Sequence, residues 1–217
     1  MKVQVVIDVE MCGVRARINS YPHKHEIIQI GAIMMDESYE IRDRFSVYVK
    51  PRYGKIDRTI ASLTGISERD LKGAPDIEDA LGQMLQWIGD NEAVFYSWSM
   101  TDYYQIRNEI QLKCKNEAKW NVLLDQANWV DYQELLGKRI NTKNRLRLAD
   151  ALDLAELDTE GSLHDGLDDA YNTARLIAKL ETQKDYKTLI ERIRAVEENQ
   201  KPLTTSLGDY LKGLVIK

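Results

Sequence analysis

The chain has 217 residues, 43% of them hydrophobic and 30% charged, with a formal net charge of −5. That length suits one large domain or a domain with an appendage, and the balance is that of an ordinary soluble globular protein. The acidic excess argues against a long footprint on duplex nucleic acid, while a grip on the last few nucleotides of a strand stays compatible.

No apolar run approaches the ~18 residues of a membrane span. The opening MKVQVVIDVE reads as a first strand, not a leader, because charge resumes at Asp8. Cys12 and Cys114 are too few for a disulfide framework and suggest a reduced, cytoplasmic protein.

Taken in chain order, VQVVIDVE has the β-branched enrichment of a buried strand. HEIIQIGAIMMD and RDRFSVYVKP predict two more strands across the polar turn DESYEI, and Pro51 ends the third. RTIASLTGIS predicts a short helix stopped at Gly65. PDIEDALGQMLQWIGD has a Pro-Asp start and apolar residues at Ile77, Leu81, Leu85 and Ile88, which is helical spacing. EAVFYSW is the fourth strand, and SMTDYYQIRNEIQLKC a helix capped by Ser99 or Thr101.

WVDYQELLG gives a short fifth strand running into a helix, LRLADALDLAEL a further helix, and Leu167 to Glu181 a strong one. Three sequential strands followed by alternating helix and strand predict a mixed α/β sheet, antiparallel on one side and parallel on the other. Residues 1–181 form one domain in this reading, and 182–217 a helical extension packed on it. Its helix DYKTLIERIRAVEENQ puts Tyr186, Leu189, Ile190, Ile193 and Val196 on one face, and Pro202 breaks it before the tail SLGDYLKGLVIK.

Five residues carry chemistry. Asp8 and Glu10 are two apart on a strand, so both side chains project to one face at what reads as its C-terminal end. Asp102, read alone, is a helix N-terminal acid favoured by the macrodipole. The preceding SWS places it just past a central strand, near the acids of the first. HDGLDDAYNTARL is the most specific element. Asp165 caps a helix, Asp168 and Asp169 sit in its first turn, and His164 lies just outside it. Leu167, Ala170, Tyr171, Ala174 and Ala178 make its expected buried stripe. His23 and His25 read as surface residues of the loop SYPHKHE. Several anionic oxygens converging with a histidine is what metal-assisted phosphodiester cleavage requires.

EIIQIGAIMMD, SLTGISERDL, YSWSMTD, NWVDYQELLG and HDGLDDAYNTARL occur in the order of a known family. Over residues 3–180 the chain resembles a DEDDh-type 3′–5′ exonuclease of the RNase T and DNA polymerase III epsilon superfamily, most like its Eri-type and KapD-like branch. The resemblance implies an RNase H-like fold with a five-stranded sheet and a single-stranded 3′ end, RNA favoured, as substrate. It also implies two Mg²⁺ or Mn²⁺ as cofactors, held by Asp8, Glu10, Asp102 and Asp169, with His164 taking a proton from the attacking water.

By the same resemblance, Met11, Leu63, Thr64 and Trp98 contact the terminal nucleotide. The chain departs from the pattern after Glu10, where Met11 and Cys12 stand in place of the frequent Thr or Ser. A proofreading-like DNA exonuclease shares every catalytic residue, a short-oligonucleotide degrader suits the acidic charge, and a non-catalytic binding or regulatory module on the same fold is the third alternative. Loss of an acid would mark the last, and none is lost.

Overall fold

The computed structural model describes residues 1–14, 22–142, 144–184 and 186–199. Strand β1 (Lys2–Gly13) pairs antiparallel with β2 (His25–Met35), which pairs antiparallel with β3 (Ile41–Tyr48). On its other side β1 pairs parallel with β4 (Glu92–Ser97), and β4 with β5 (Trp129–Asp131). The order is β3-β2-β1-β4-β5, the mixed five-stranded sheet expected from the element order.

Alternation along β1 divides the molecule. Val3, Val5, Ile7 and Val9 face a core closed by α2 (Ile77–Ile88) and α3 (Thr101–Lys113), with Phe95, Trp120 and Trp129 buried beside them. Val6, Ile33 and Met35 face a second core under α5 (Tyr132–Arg139), α6 (Leu148–Leu154) and α7 (Gly166–Gln183). Helix α8 (Tyr186–Asn199) puts Leu189 into that second core, at 3% exposure. The side chain of Val196 and residues 200–217 of the expected extension, with Pro202 and the tail, lie outside the described residues. A smaller third core, Cys12, Ile28, Ile66 and Leu71, lies under α1 (Arg58–Thr64) and its flanks.

Caps follow local chemistry. Asp57 and Asp76 accept amide hydrogen bonds at the starts of α1 and α2, and Gly65 ends α1 with a φ of 72°. The α3 cap differs from expectation. Met100 is the N-cap residue, with helical backbone and no side-chain bond, so neither Ser99 nor Thr101 caps. Ser99 Oγ instead accepts from the Thr101 amide at 3.3 Å, a turn closed just before the helix.

Four further expectations are corrected. β1 does not stop at Glu10 but continues to Gly13, because β2 keeps pairing with it past a bulge at Glu10/Met11. His25 is exposed, as read, but it opens β2 as its first residue instead of lying in a loop. α6 is confined to Leu148–Leu154. In α7, Ala170 and Ala174 are buried as expected, but Leu167, Tyr171 and Ala178 are only half-buried, while Thr173, Leu176, Ile177 and Leu180 are covered. The helix is packed by the sheet on one side and by α6 on another, so its apolar arc is wider than one stripe.

The segment after β3 is anchored from within. Glu26 accepts from the amides of Arg52 and Tyr53 at 3.0 and 2.6 Å, and from that of Gly54. It also pairs with Lys113, which pairs in turn with Glu109, and all three side chains are buried. Burial pushes the Glu26 carboxyl up, but the Lys113 and amide hydrogen bonds outweigh it and hold the group below its ordinary value. Between α3 and β5 a short helix, α4 (Asn121–Leu124), packs Leu123 inward.

Candidate active site

Asp8 and Glu10 lie on the face of β1 that α7 covers, and their cross-strand partners are Gly31 and Gln29. Those two residues dock the helix. A Cβ on Gly31 would come within 2.1 Å of the Gly166 carbonyl carbon, so only glycine lets the N-terminus of α7 approach the sheet this closely. The Gly166 amide donates to Gln29 Oε1 at 3.1 Å, and Gln29 Nε2 donates to Asp165 Oδ2 at 3.1 Å. Asp165 meanwhile accepts from the Leu167 and Asp168 amides as the helix cap, as expected from the sequence. Asp169, one turn in, is thereby delivered beside Asp8 and Glu10, at 9% exposure.

The fourth acid arrives from the parallel side. The ladder between β1 and β4 ends at Val6 and Tyr96, so the Val9 amide lies beyond it. Asp102 Oδ1 accepts from that amide at 3.1 Å. Asp131, at the end of β5, holds the entry to α3 by accepting from the Met100 amide at 3.3 Å, and caps α5 through the Glu134 amide at 2.7 Å.

The cluster resists its own charge. Burial, then Asp102, Asp169 and Glu10, hold the Asp8 carboxyl well above its ordinary value. Burial, then Asp169, Asp102 and Asp165, push Glu10 up to about 8. Asp102 and Asp169 are raised as well, chiefly by burial, against the lowering effect of the Val9 and His164 amides that donate to them.

These residues fit a bound cation. Glu10, His164 and Asp169 each offer a ligand atom, and the three atoms lie within 4.8 Å of one another. Asp169 Oδ2 accepts from the His164 amide at 2.9 Å, while its Oδ1 is buried without a hydrogen-bond partner. A buried, unpartnered carboxylate oxygen among three further acids is the environment a divalent cation satisfies. Oxygen-rich donors suit Mg²⁺ or Mn²⁺ over zinc. His164 is exposed and takes a φ of 65°, in the left-handed region.

The substrate candidates divide. Leu63 is presented to solvent on α1 at 47% exposure. The Thr64 hydroxyl is committed to the end of that helix, donating to Ile60 O at 2.9 Å and accepting from the Ile66 amide at 3.1 Å. Trp98 donates to Leu146 O at 3.2 Å and packs on the second core, while Met11 packs at the edge of the first.

Sequence reasoning overlooked Gln29, Gly31 and Asp131. A signal existed for the first two: a polar residue and a glycine inside the apolar run EIIQIGAIMM are misplaced unless a partner and a close approach explain them.

Comparison with known proteins agrees with this geometry. A family profile described as Exonuclease matches residues 5–177. The chain is 25% identical over 169 residues to 3′-5′ exoribonuclease 1 of Rattus norvegicus, covering 72% of this chain and 47% of that protein. It thus spans about half the length of that relative. It is 33% identical over 140 residues to the PolC-type DNA polymerase III of Halalkalibacterium halodurans, covering 64% of this chain and 9% of the polymerase. Among solved structures, the nuclease domain of 3′hExo, a DEDDh family member bound to rAMP, superposes with a TM-score of 0.65 at 22% identity. That match covers 85% of this chain and 94% of the domain, and what the two share is the RNase H-like mixed sheet with flanking helices.

Proposed function

This chain belongs to the RNase T exonuclease family, and from that premise we propose that it is a 3′–5′ exonuclease releasing nucleoside 5′-monophosphates from single-stranded RNA 3′ ends. The observation that carries the reading is the convergence of Asp8, Glu10, Asp102, Asp169 and His164 from three separate segments, with Asp169 Oδ1 left buried and unpartnered. RNA is favoured because the exoribonuclease relatives align over 72% of the chain.

Asp8, Glu10, Asp102 and Asp169 would hold two divalent cations, Mg²⁺ or Mn²⁺. When bound, these would cancel the charge of the cluster, acidify water and stabilise the charge that builds on the scissile phosphate. Asp102 keeps its carboxylate fixed through the Val9 amide, and Asp169 is steadied by the His164 amide. His164 accepts the proton of the attacking water. Its exposed ring can then release that proton to solvent. The bond formed joins the water oxygen to phosphorus, the bond broken joins phosphorus to the 3′ oxygen of the preceding nucleotide, and that oxygen takes a proton from solvent to leave as the new 3′ hydroxyl. Leu63, the candidate presented to solvent, would meet the terminal nucleotide.

A second reading, DNA as substrate, is favoured by the 33% identity to a PolC-type polymerase. Matched 5′-labelled RNA and DNA strands, incubated with Mg²⁺, with Mn²⁺ or with EDTA, separate these readings. Stepwise shortening from the 3′ end, abolished by EDTA and faster on RNA, is the expected result. Undiminished cleavage of a circular strand would overturn the exonuclease reading, and faster shortening of DNA would overturn the RNA preference.

A further inference from the structure

The charge of this chain is unevenly placed. Residues 50–72 hold Lys50, Arg52, Lys55, Arg58, Arg69 and Lys72 against Asp57, Glu68 and Asp70, a local excess of +3 in a chain of net charge −5. Three cavities run through that segment. The first, of about 330 Å³, is rimmed by Lys50, Lys55, Lys72 and Glu68 over a floor that includes Ile56 and Leu71. Lys55 and Ile56 also line the second, of about 510 Å³, together with Asp57, the acid that caps α1, and it reaches Arg58 and Thr59. Those last two line the third, of about 470 Å³, which ends at Leu63. Shared walls make them one groove. Lys50, Lys55, Arg58 and Lys72 are exposed, and none has an ion-pair partner among the described residues.

The groove adjoins the candidate active site through β1. Gly13 bridges Lys55, and Gly13 is three residues beyond Glu10 on the same strand, about 10 Å at strand rise. Its wall is held firm where the Glu26 carboxylate grips the amides of residues 52–54. We propose that this groove carries the sugar-phosphate backbone of the single strand upstream of the nucleotide being removed, with Lys50, Lys55, Arg58 and Lys72 on successive phosphates and Leu63 nearest the 3′ end. The strand's polarity rests on the exonuclease reading; the affinity of the groove for a polyphosphate backbone does not. Cations strung along a groove with an apolar floor match a flexible strand, whose phosphates and base faces can both be met.

Four neutralised phosphates predict a slope of log K against log salt of about −2.8 for a single strand. Binding of a 5′-fluorescent phosphorothioate RNA of about fifteen nucleotides should then weaken roughly 50-fold from about 50 to about 200 mM salt. With Lys50, Lys55 and Lys72 all changed to Gln, the expected weakening over that range is only about 3-fold. The corresponding triple change to Arg should restore the wild-type dependence. Hydrolysis of thymidine 5′-p-nitrophenyl phosphate with Mn²⁺, a substrate too short to reach the lysines, reports on the centre separately. Equal salt dependence in wild type and the Gln variant overturns the groove, as does failure of the Arg variant to restore it. Loss of ester hydrolysis in the Gln variant also overturns it, since the lysines would then act on the centre itself. If the wild type neither hydrolyses the ester nor shortens strands while the difference in salt dependence persists, the groove stands and the exonuclease reading falls.

Discussion

Glu10 is held at about 8 against an ordinary 4.5 by burial and by Asp169, Asp102 and Asp165. The folded value lies above the unfolded one, so the protonated group favours the fold. That contribution is complete below about 4.5 and is lost as pH climbs through about 8. In EDTA, the melting temperature of the wild type should therefore fall between pH 5 and 8, and Glu10→Gln should flatten that fall. Thermal melts across the range check it, and an equally steep fall in the variant would remove the repulsion argument. His164 bears on the chemistry itself. His164→Ala should lose on the order of 10² or more in single-turnover rate while keeping Mn²⁺ affinity. Because its ring sits within 4.8 Å of the Glu10 and Asp169 oxygens, lost Mn²⁺ affinity with a modest rate effect would instead make it a ligand.

At the scale of elements, the site depends on how closely α7 lies against β1 and β2. Gly31→Ala would set a methyl 2.1 Å from the Gly166 carbonyl carbon, backbone that cannot yield without moving the helix. An overpacking cost of about 1–3 kcal/mol is expected, with Asp169 carried out of register and activity down by roughly an order of magnitude or more. Gln29→Leu should cost about 1–3 kcal/mol by leaving the Gly166 amide without its acceptor. Urea unfolding and strand-shortening rates measure both, and a fully stable, active Gly31→Ala would refute the docking role. These two residues also mark where the sequence stops being legible. Asp8 and Glu10 on one strand face and the run around His164 and Asp169 stand out locally, whereas Asp102 read alone is an ordinary helix-start acid and gains its place from the strand end that precedes it. The role of Gln29 exists only once β2 lies beside Glu10 and α7 lies on top. The start of α3 failed for a related reason. Ser99 satisfies its own turn, and the chain enters the helix through Met100, held by Asp131 from a strand that is distant in sequence.

Across the whole molecule, the net charge of −5 averages two regions of opposite purpose, a carboxylate cluster beyond the β1–β4 ladder and a basic groove along residues 50–72. Overall composition averages them away: the basic excess lies in one contiguous segment, whereas the four acids are spread from position 8 to position 169 and only folding gathers them. The acidic region is the one that costs stability when empty. Asp8, Glu10, Asp102 and Asp169 all have raised carboxyl values in the folded state, so neutralising any one should raise, or leave unchanged, the melting temperature in EDTA while abolishing activity. Only a folded site gathers the cation, so the wild type gains RT ln(1 + [L]/Kd), about 2.7 kcal/mol at a hundredfold excess over Kd. For a domain of this size that amounts to a shift of about 5–10 °C. Asp102→Asn should gain markedly less, since it retains its amide contact with Val9 but gives up the charge. Melts of the wild type and the four amide variants, each in EDTA and in Mn²⁺, decide the matter. If every variant melts well below the wild type in EDTA and Mn²⁺ shifts none of the five proteins, the acids are holding the fold together through their hydrogen bonds and no metal centre is present.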